Sequence, residues 1–286
     1  GGTHRESPAA LTGLALLSFM AHGDRTDSVE FGETIERGLR WLIYVQTESG
    51  GFRESDPHEY AHPICAYALT EAFALMHLPE LKEPANRAIN RIVAGQNPDG
   101  GWDYNLQQST RNDMSYSAWC IQALKAAQLA RLDSPDIQPS LKRALSGTLR
   151  QQTGSTGRFG YTDPGNGSGG LTGAGVLCLQ LLGAGDSPAA QKGIAFMKDW
   201  TCRWDTPQGT SPLYYWYYAT QAKFHASPSS WKQWNGQFNA ELRNHQQVVE
   251  KAILTPSGEL ASVGYWESCR SSEHGRSCVY NTTLCA

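Results

Sequence analysis

The residues best suited to chemistry fall in two clusters. The first is Asp56, His58, Glu59 and His62. His58 and His62 are four apart, so on a helix both would face one direction. With Asp113 from a neighbouring helix start they would offer imidazole and carboxylate ligands of the kind zinc or another divalent ion takes. Pro57 and Pro63 interrupt the region and leave the helical phase open, and capping residues in a solvated loop explain the same cluster. The second cluster is aromatic: Tyr116 and Trp119, and the run Tyr214-Tyr215-Trp216-Tyr217-Tyr218, with Tyr280 near the end of the chain. Aromatic faces stabilise cations through their quadrupoles, stack on sugar rings, or simply fill a core. Helical spacing lets only some of five consecutive aromatics share one face. The tyrosine hydroxyls argue against a purely dry core, because each needs a partner when buried.

The elements that must position these groups are helices. Apolar-all-round segments at 8–22, 60–77, 113–130, 170–183 and 213–226, and a last one from Val279 to Ala286, read as buried inner helices. One-sided segments at 29–46, 84–96, 136–152, 188–201 and 230–250 read as outer helices, with Pro84 in the first turn of its segment. Asn112 or Asp113 is placed to cap the third inner helix. Gly173 and Gly175 lie in an inner segment, where close backbone approach or a later helix start accounts for them.

Between outer and inner segments a turn recurs. Gln96-Asn97-Pro98-Asp99-Gly100-Gly101-Trp102 ends a helix, turns and delivers an aromatic plug. Gln46 to Phe52 repeats it, Gln152 to Gly160 is a looser copy, and weak echoes stand at Pro207-Gln208-Gly209 and at Pro256-Ser257-Gly258 with Trp266. A repeat of roughly fifty residues marks a repeat architecture. Inner and outer helices in alternation predict an all-α (α/α)6 toroid, one domain over 1–286. Six inner and five outer segments predict that one terminal outer helix lies before Gly1 or beyond Ala286, in a longer chain.

Composition sets limits. A net charge of −3, a pI near 6.3 and no basic stripe argue against a nucleic-acid partner. No apolar run is long enough to span a membrane. The seven cysteines include Cys269 and Cys278, which flank a polar loop; a bridge between them would point to an oxidising, extracytoplasmic compartment. The sequence otherwise leaves the compartment open and calls for no cofactor.

The Gln96 to Trp102 turn is similar to the Gln-Trp motif of squalene and terpene cyclases, which recurs in the β-subunits of protein prenyltransferases. The chain most resembles bacterial prenyltransferase and squalene-oxidase repeat proteins, also through Tyr214 to Gln221 and Tyr280 to Leu284. The resemblance implies the toroid, with an axial cavity lined at its mouth by inner-helix starts, where His58, His62, Asp113, Tyr116, Trp119, Tyr214, Trp216, Tyr217 and Tyr280 are the candidate lining residues. It does not bring the chemistry. The Asp-x-Asp-Asp acid of the cyclases is missing, since Asp103 and Asp113 stand apart. The prenyltransferase zinc pattern is imitated only by Asp199-Trp200-Thr201-Cys202, at the wrong spacing, and the Cys-Gly-Glu-Gln thioester motif has no match. Three functions remain: a non-catalytic repeat protein that binds a hydrophobic or glycan ligand, or a protein partner, through its cavity or rim; an enzyme with an unrecognised site, acting on an isoprenoid or, with His62 abstracting a proton and Tyr116 or Tyr214 donating one to the leaving group, on a uronate glycan; or an interaction module of a larger protein.

Overall fold

The computed structural model describes residues 7–53, 60–166, 169–207, 211–269 and 278–286. Inner helices α1 (Pro8–His22), α3 (Ala61–Met76), α5 (Met114–Leu129), α7 (Thr172–Leu181), α9 (Pro212–Ala226) and α11 (Cys278–Cys285) pack each against the next, and α11 returns to α1. The ring is therefore closed. Outer helices α2 (Gly32–Val45), α4 (Pro79–Ala94), α6 (Ile137–Arg150), α8 (Pro188–Phe196) and α10 (Pro228–His245) cover it, four of them leaning on two successive inner helices. The alternation of apolar-all-round and one-sided segments is the cause. Ile64 and Leu124 are buried on all sides, whereas α2 buries Ile35, Leu39 and Leu42 and turns its Glu36–Arg40 pair outward.

The recurring turns lock one repeat to the next. Gln96 donates from Nε2 to the carbonyls of Gly100 and Ser140, both at 3.0 Å, and its Oε1 accepts from Ser140 Oγ at 2.8 Å and Arg143 Nε at 3.0 Å. Gln46 reaches the Pro84 carbonyl at 2.9 Å, and Gln152 that of Ala189 at 2.8 Å. Each glutamine thus ties the end of one outer helix to the next outer helix. The plugs Trp102 and Phe159 are fully buried, and Trp102 donates from Nε1 to the Ile92 carbonyl at 2.8 Å. Gly100 holds φ at 102°, and a Cβ there would run into the Arg143 carbonyl oxygen of α6. No other residue type combines that torsion with that approach.

Several boundaries differ from expectation. α4 begins at Pro79, so Pro84 sits inside the helix; Pro79 takes the N-terminal place, and the carbonyl of Pro84 serves Gln46 instead. α8 stops at Phe196. The segment expected to be helical to residue 250 ends at His245 and becomes an antiparallel hairpin, β1 (Gln247–Leu254) with β2 (Leu260–Tyr265), turning at the Gly258 echo. β-Branched Val248, Val249 and Ile253 suit a pleated strand better than a helix. Trp266 then donates to the Leu242 carbonyl at 2.7 Å, repeating the role of Trp102. Gly173 and Gly175 are both helical, and a Cβ on Gly173 would come within 2.7 Å of the Ala219 backbone, so close approach to α9 is the reason for the first. Gln208 and Gly209 of the other echo lie outside the described residues. The bridge that Cys269 and Cys278 could have made is not formed, and Cys278 is an exposed free thiol.

Candidate functional site

The first turns of α3, α5 and α9 gather at one end of the ring, together with the loops that follow the second and third plugs. Asp113 caps α5, accepting from the Tyr116 amide at 2.9 Å. It is fully buried, and it also accepts from Ser115 Oγ and from Arg111 Nη2 at 2.9 Å. Arg111 pairs through its other nitrogen with Asp103. The guanidinium lies over the rings of Tyr104 and Tyr161, 5.1 and 5.5 Å from their centroids. One cation between two carboxylates thereby fixes two aromatic side chains.

From these tyrosines a chain of hydroxyls runs inward. Tyr161 Oη is 2.6 Å from Tyr104 Oη, which is 3.2 Å from Tyr60 Oη, which is 2.9 Å from Ser115 Oγ, which meets Asp113. Tyr214 joins from α9, donating to the Ser115 carbonyl at 3.0 Å. Tyr60, Tyr104, Tyr161 and Tyr214 are half-buried, and Tyr116 packs edge-on to Tyr104 at 5.5 Å. Burial, and the negative charge of Asp113 with it, push the phenols of Tyr60 and Tyr104 well above the ordinary tyrosine range.

Deeper along the axis, Trp119 stacks on Tyr217 at 5.6 Å, and Gln122 donates to Tyr218 Oη at 3.2 Å. Tyr60, Tyr67 and Glu71 stand at i, i+7 and i+11, one stripe of α3. Burial raises the Glu71 carboxyl, and a hydrogen bond from Tyr67 partly offsets it. Tyr67, Glu71, Tyr217 and Gln221 remain half-buried, so the hub is not packed solid.

Of the residues expected at the axis, Asp113, Tyr116, Trp119, Tyr214 and Tyr217 are brought together. Tyr280 is half-buried on α11, near enough to Tyr214 to influence it. Trp216 is turned to Trp204, 6.3 Å away, because consecutive helical residues diverge by about 100°. His62 also leaves the axis. Its Nε2 is 3.0 Å from the Ala88 carbonyl of α4, and its ring lies 5.5 Å from Phe52. Burial pushes its pKa down to about 4, which makes it a neutral core histidine. His58 lies outside the described residues. Among the described residues no three His, Cys, Asp or Glu side chains are gathered for a metal. The residues that sequence reasoning missed are Tyr60, Tyr104, Tyr161, Arg111 and Ser115. A signal was present: Tyr104 and Tyr161 each stand two residues after a plug, Trp102 and Phe159.

A model of the prenyltransferase alpha-alpha toroid domain matches residues 10–224, most of the chain. The chain belongs to that family. As a solved structure, cellobiose 2-epimerase from Bacillus thermoamylovorans B4167 is similar to this toroid, with a TM-score of 0.67 and 12% identity over 97% of this chain and 86% of that one. No curated protein matches the chain in sequence. Within the described residues no helix of the toroid is long and apolar enough to cross a membrane.

Proposed function

We propose that this toroid binds a hydroxyl-rich small ligand, a sugar or short glycan, at the inner-helix mouth of its axis. The observation that carries this reading is the linked set of Tyr161, Tyr104, Tyr60 and Ser115 hydroxyls, edged by aromatic faces, with the three tyrosines left half-buried. Sugars present apolar ring faces and hydroxyls together, and tyrosine answers both. An isoprenoid asks for a dry apolar wall, which hydroxyls in this number do not make. The resemblance to a cellobiose 2-epimerase supports the same substrate class through fold alone. Calorimetric titration with a panel of neutral disaccharides that includes cellobiose tests it. At least one should bind, and Tyr60→Phe with Tyr104→Phe should weaken it about tenfold or more. No binding across the panel, or binding untouched by both changes, would discard the reading.

A catalytic version of this site is favoured by Glu71, a half-buried carboxyl raised by burial on the same stripe as Tyr60 and Tyr67. Such an acid holds its proton higher in pH and can give it to a sugar oxygen. Glu71→Gln should then abolish turnover of a bound sugar while leaving its affinity within about threefold. Unchanged turnover would remove Glu71 from the reaction.

A further inference from the structure

The mouth's hydroxyl protons have a forced direction. Every partner of Asp113 is a donor, so its oxygens only accept. Ser115 must therefore donate to Asp113, and with its one proton so placed it accepts from Tyr60. Tyr60, having given its proton to Ser115, can only accept from Tyr104. Tyr161 then donates to Tyr104, or to Asp113, which its hydroxyl also approaches. In either case the Tyr161 proton points inward. Tyr214 likewise gives its proton to the Ser115 carbonyl. Arg111 is held by Asp103 and Asp113, so these three side chains carry a net charge of one negative.

We infer that this mouth presents hydrogen-bond acceptors to its ligand, with Tyr161 as the outermost one, and therefore selects a neutral hydroxyl-bearing sugar over its uronate or a diphosphate. Anions bring only acceptors, find no unpaired proton in the hydroxyl chain, and meet the net negative charge of the Asp103, Arg111 and Asp113 set. A neutral sugar brings hydroxyl protons to the oxygen of Tyr161, which accepts from Arg111 and keeps room to accept one more. The inference rests on the sugar-binding reading above and narrows it: it sets aside uronate chemistry, and with it the prenyl diphosphates.

The test is a competition at neutral pH on the full chain, with three probes: a neutral disaccharide that binds, the same disaccharide with a uronate in place of one hydroxymethyl group, and farnesyl diphosphate. The neutral sugar should bind at least about tenfold more tightly than either anion. Tyr161→Phe, which keeps the ring under Arg111, should cost the neutral sugar about tenfold, or about 1.4 kcal/mol. Ser115→Ala removes the group that orients the chain, so Tyr161 regains the freedom to donate and the preference should shrink. Equal or tighter binding of the uronate or of the diphosphate overturns the inference while leaving the mouth a ligand site. A Tyr161→Phe protein that binds the neutral sugar as the parent does also overturns it. Failure of all three probes to bind overturns both readings together.

Discussion

At the scale of single residues, two positions have consequences that follow from geometry. Gly100 has φ of 102° and faces the α6 backbone. Gly100→Ala adds both left-handed strain and a clash with main chain, which cannot rotate away. A loss of about 3 kcal/mol or more is expected in urea denaturation; a loss below about 1 kcal/mol would mean the turn relaxes freely. His62 is held neutral with its pKa near 4. In the unfolded chain it takes up a proton near pH 6.5, so between about pH 6.5 and 4 the unfolded state binds more protons. Stability should fall as pH falls through that window, by about 3 kcal/mol from this group. His62→Phe should flatten the slope there, measured by denaturant midpoints at a series of pH values. Sequence reasoning let His58 and His62 share one face if the helix already included position 58. For His62 the deciding contact is with the Ala88 carbonyl, 26 residues away in sequence, which no local pattern reports.

At the scale of elements, the three glutamine turns do unequal work. Gln96 makes four side-chain hydrogen bonds, all buried or half-buried, and leaves two carbonyls and a hydroxyl unanswered when removed. Gln96→Ala should therefore destabilise by about 2–4 kcal/mol. Gln46→Ala should cost less, since one of its bonds is stretched to 3.5 Å. Equal losses from the two would refute this ordering. These turns were legible in the sequence because a glutamine, glycines and an aromatic recur at the same offsets in the first two turns and one residue longer in the third. Inner helices were legible because they carry apolar residues on every side. The hairpin was not, since it comes directly after an amphipathic helix. The eight residues of β1 are exposed throughout and give no one-sided burial pattern. The mouth was half-legible. Asp113, Tyr116 and Tyr214 lie on helix starts that periodicity reveals. Tyr104, Arg111 and Tyr161 lie on irregular loops from two repeats, and only the closing of the ring brings them into register.

At the scale of the whole molecule, the hub concentrates phenols. Burial raises the pKa of Tyr60, Tyr67, Tyr104, Tyr116, Tyr161, Tyr214 and Tyr218, and pushes Tyr217 up to about 12. In the unfolded chain tyrosine loses its proton near pH 10. Between about pH 10 and 12 the folded state keeps protons the unfolded state has shed, so stability should fall steeply with rising pH. Denaturant midpoints at about pH 9 and about pH 11, with tyrosinate absorbance followed alongside, check this. A midpoint that holds steady to about pH 11 would mean the hub phenols ionise in place. The prediction belongs to the ring as a whole, because three inner helices and two loops contribute the phenols.

Closure of the ring also fixes how the first and last inner helices stand to each other. α1 and α11 are neighbours, and both inner helices point the same way because an outer helix runs back between each inner pair. Pro8 opens α1 at one face and Cys285 closes α11 at the other. With 15 residues in α1, the two faces stand about 22 Å apart. A circular permutant cut at an exposed tip such as Ser155 must span the gap from Cys285 to Pro8 with a tether of about seven extended residues or more. A shorter one would have to pull the last rod out of the wheel to close the loop.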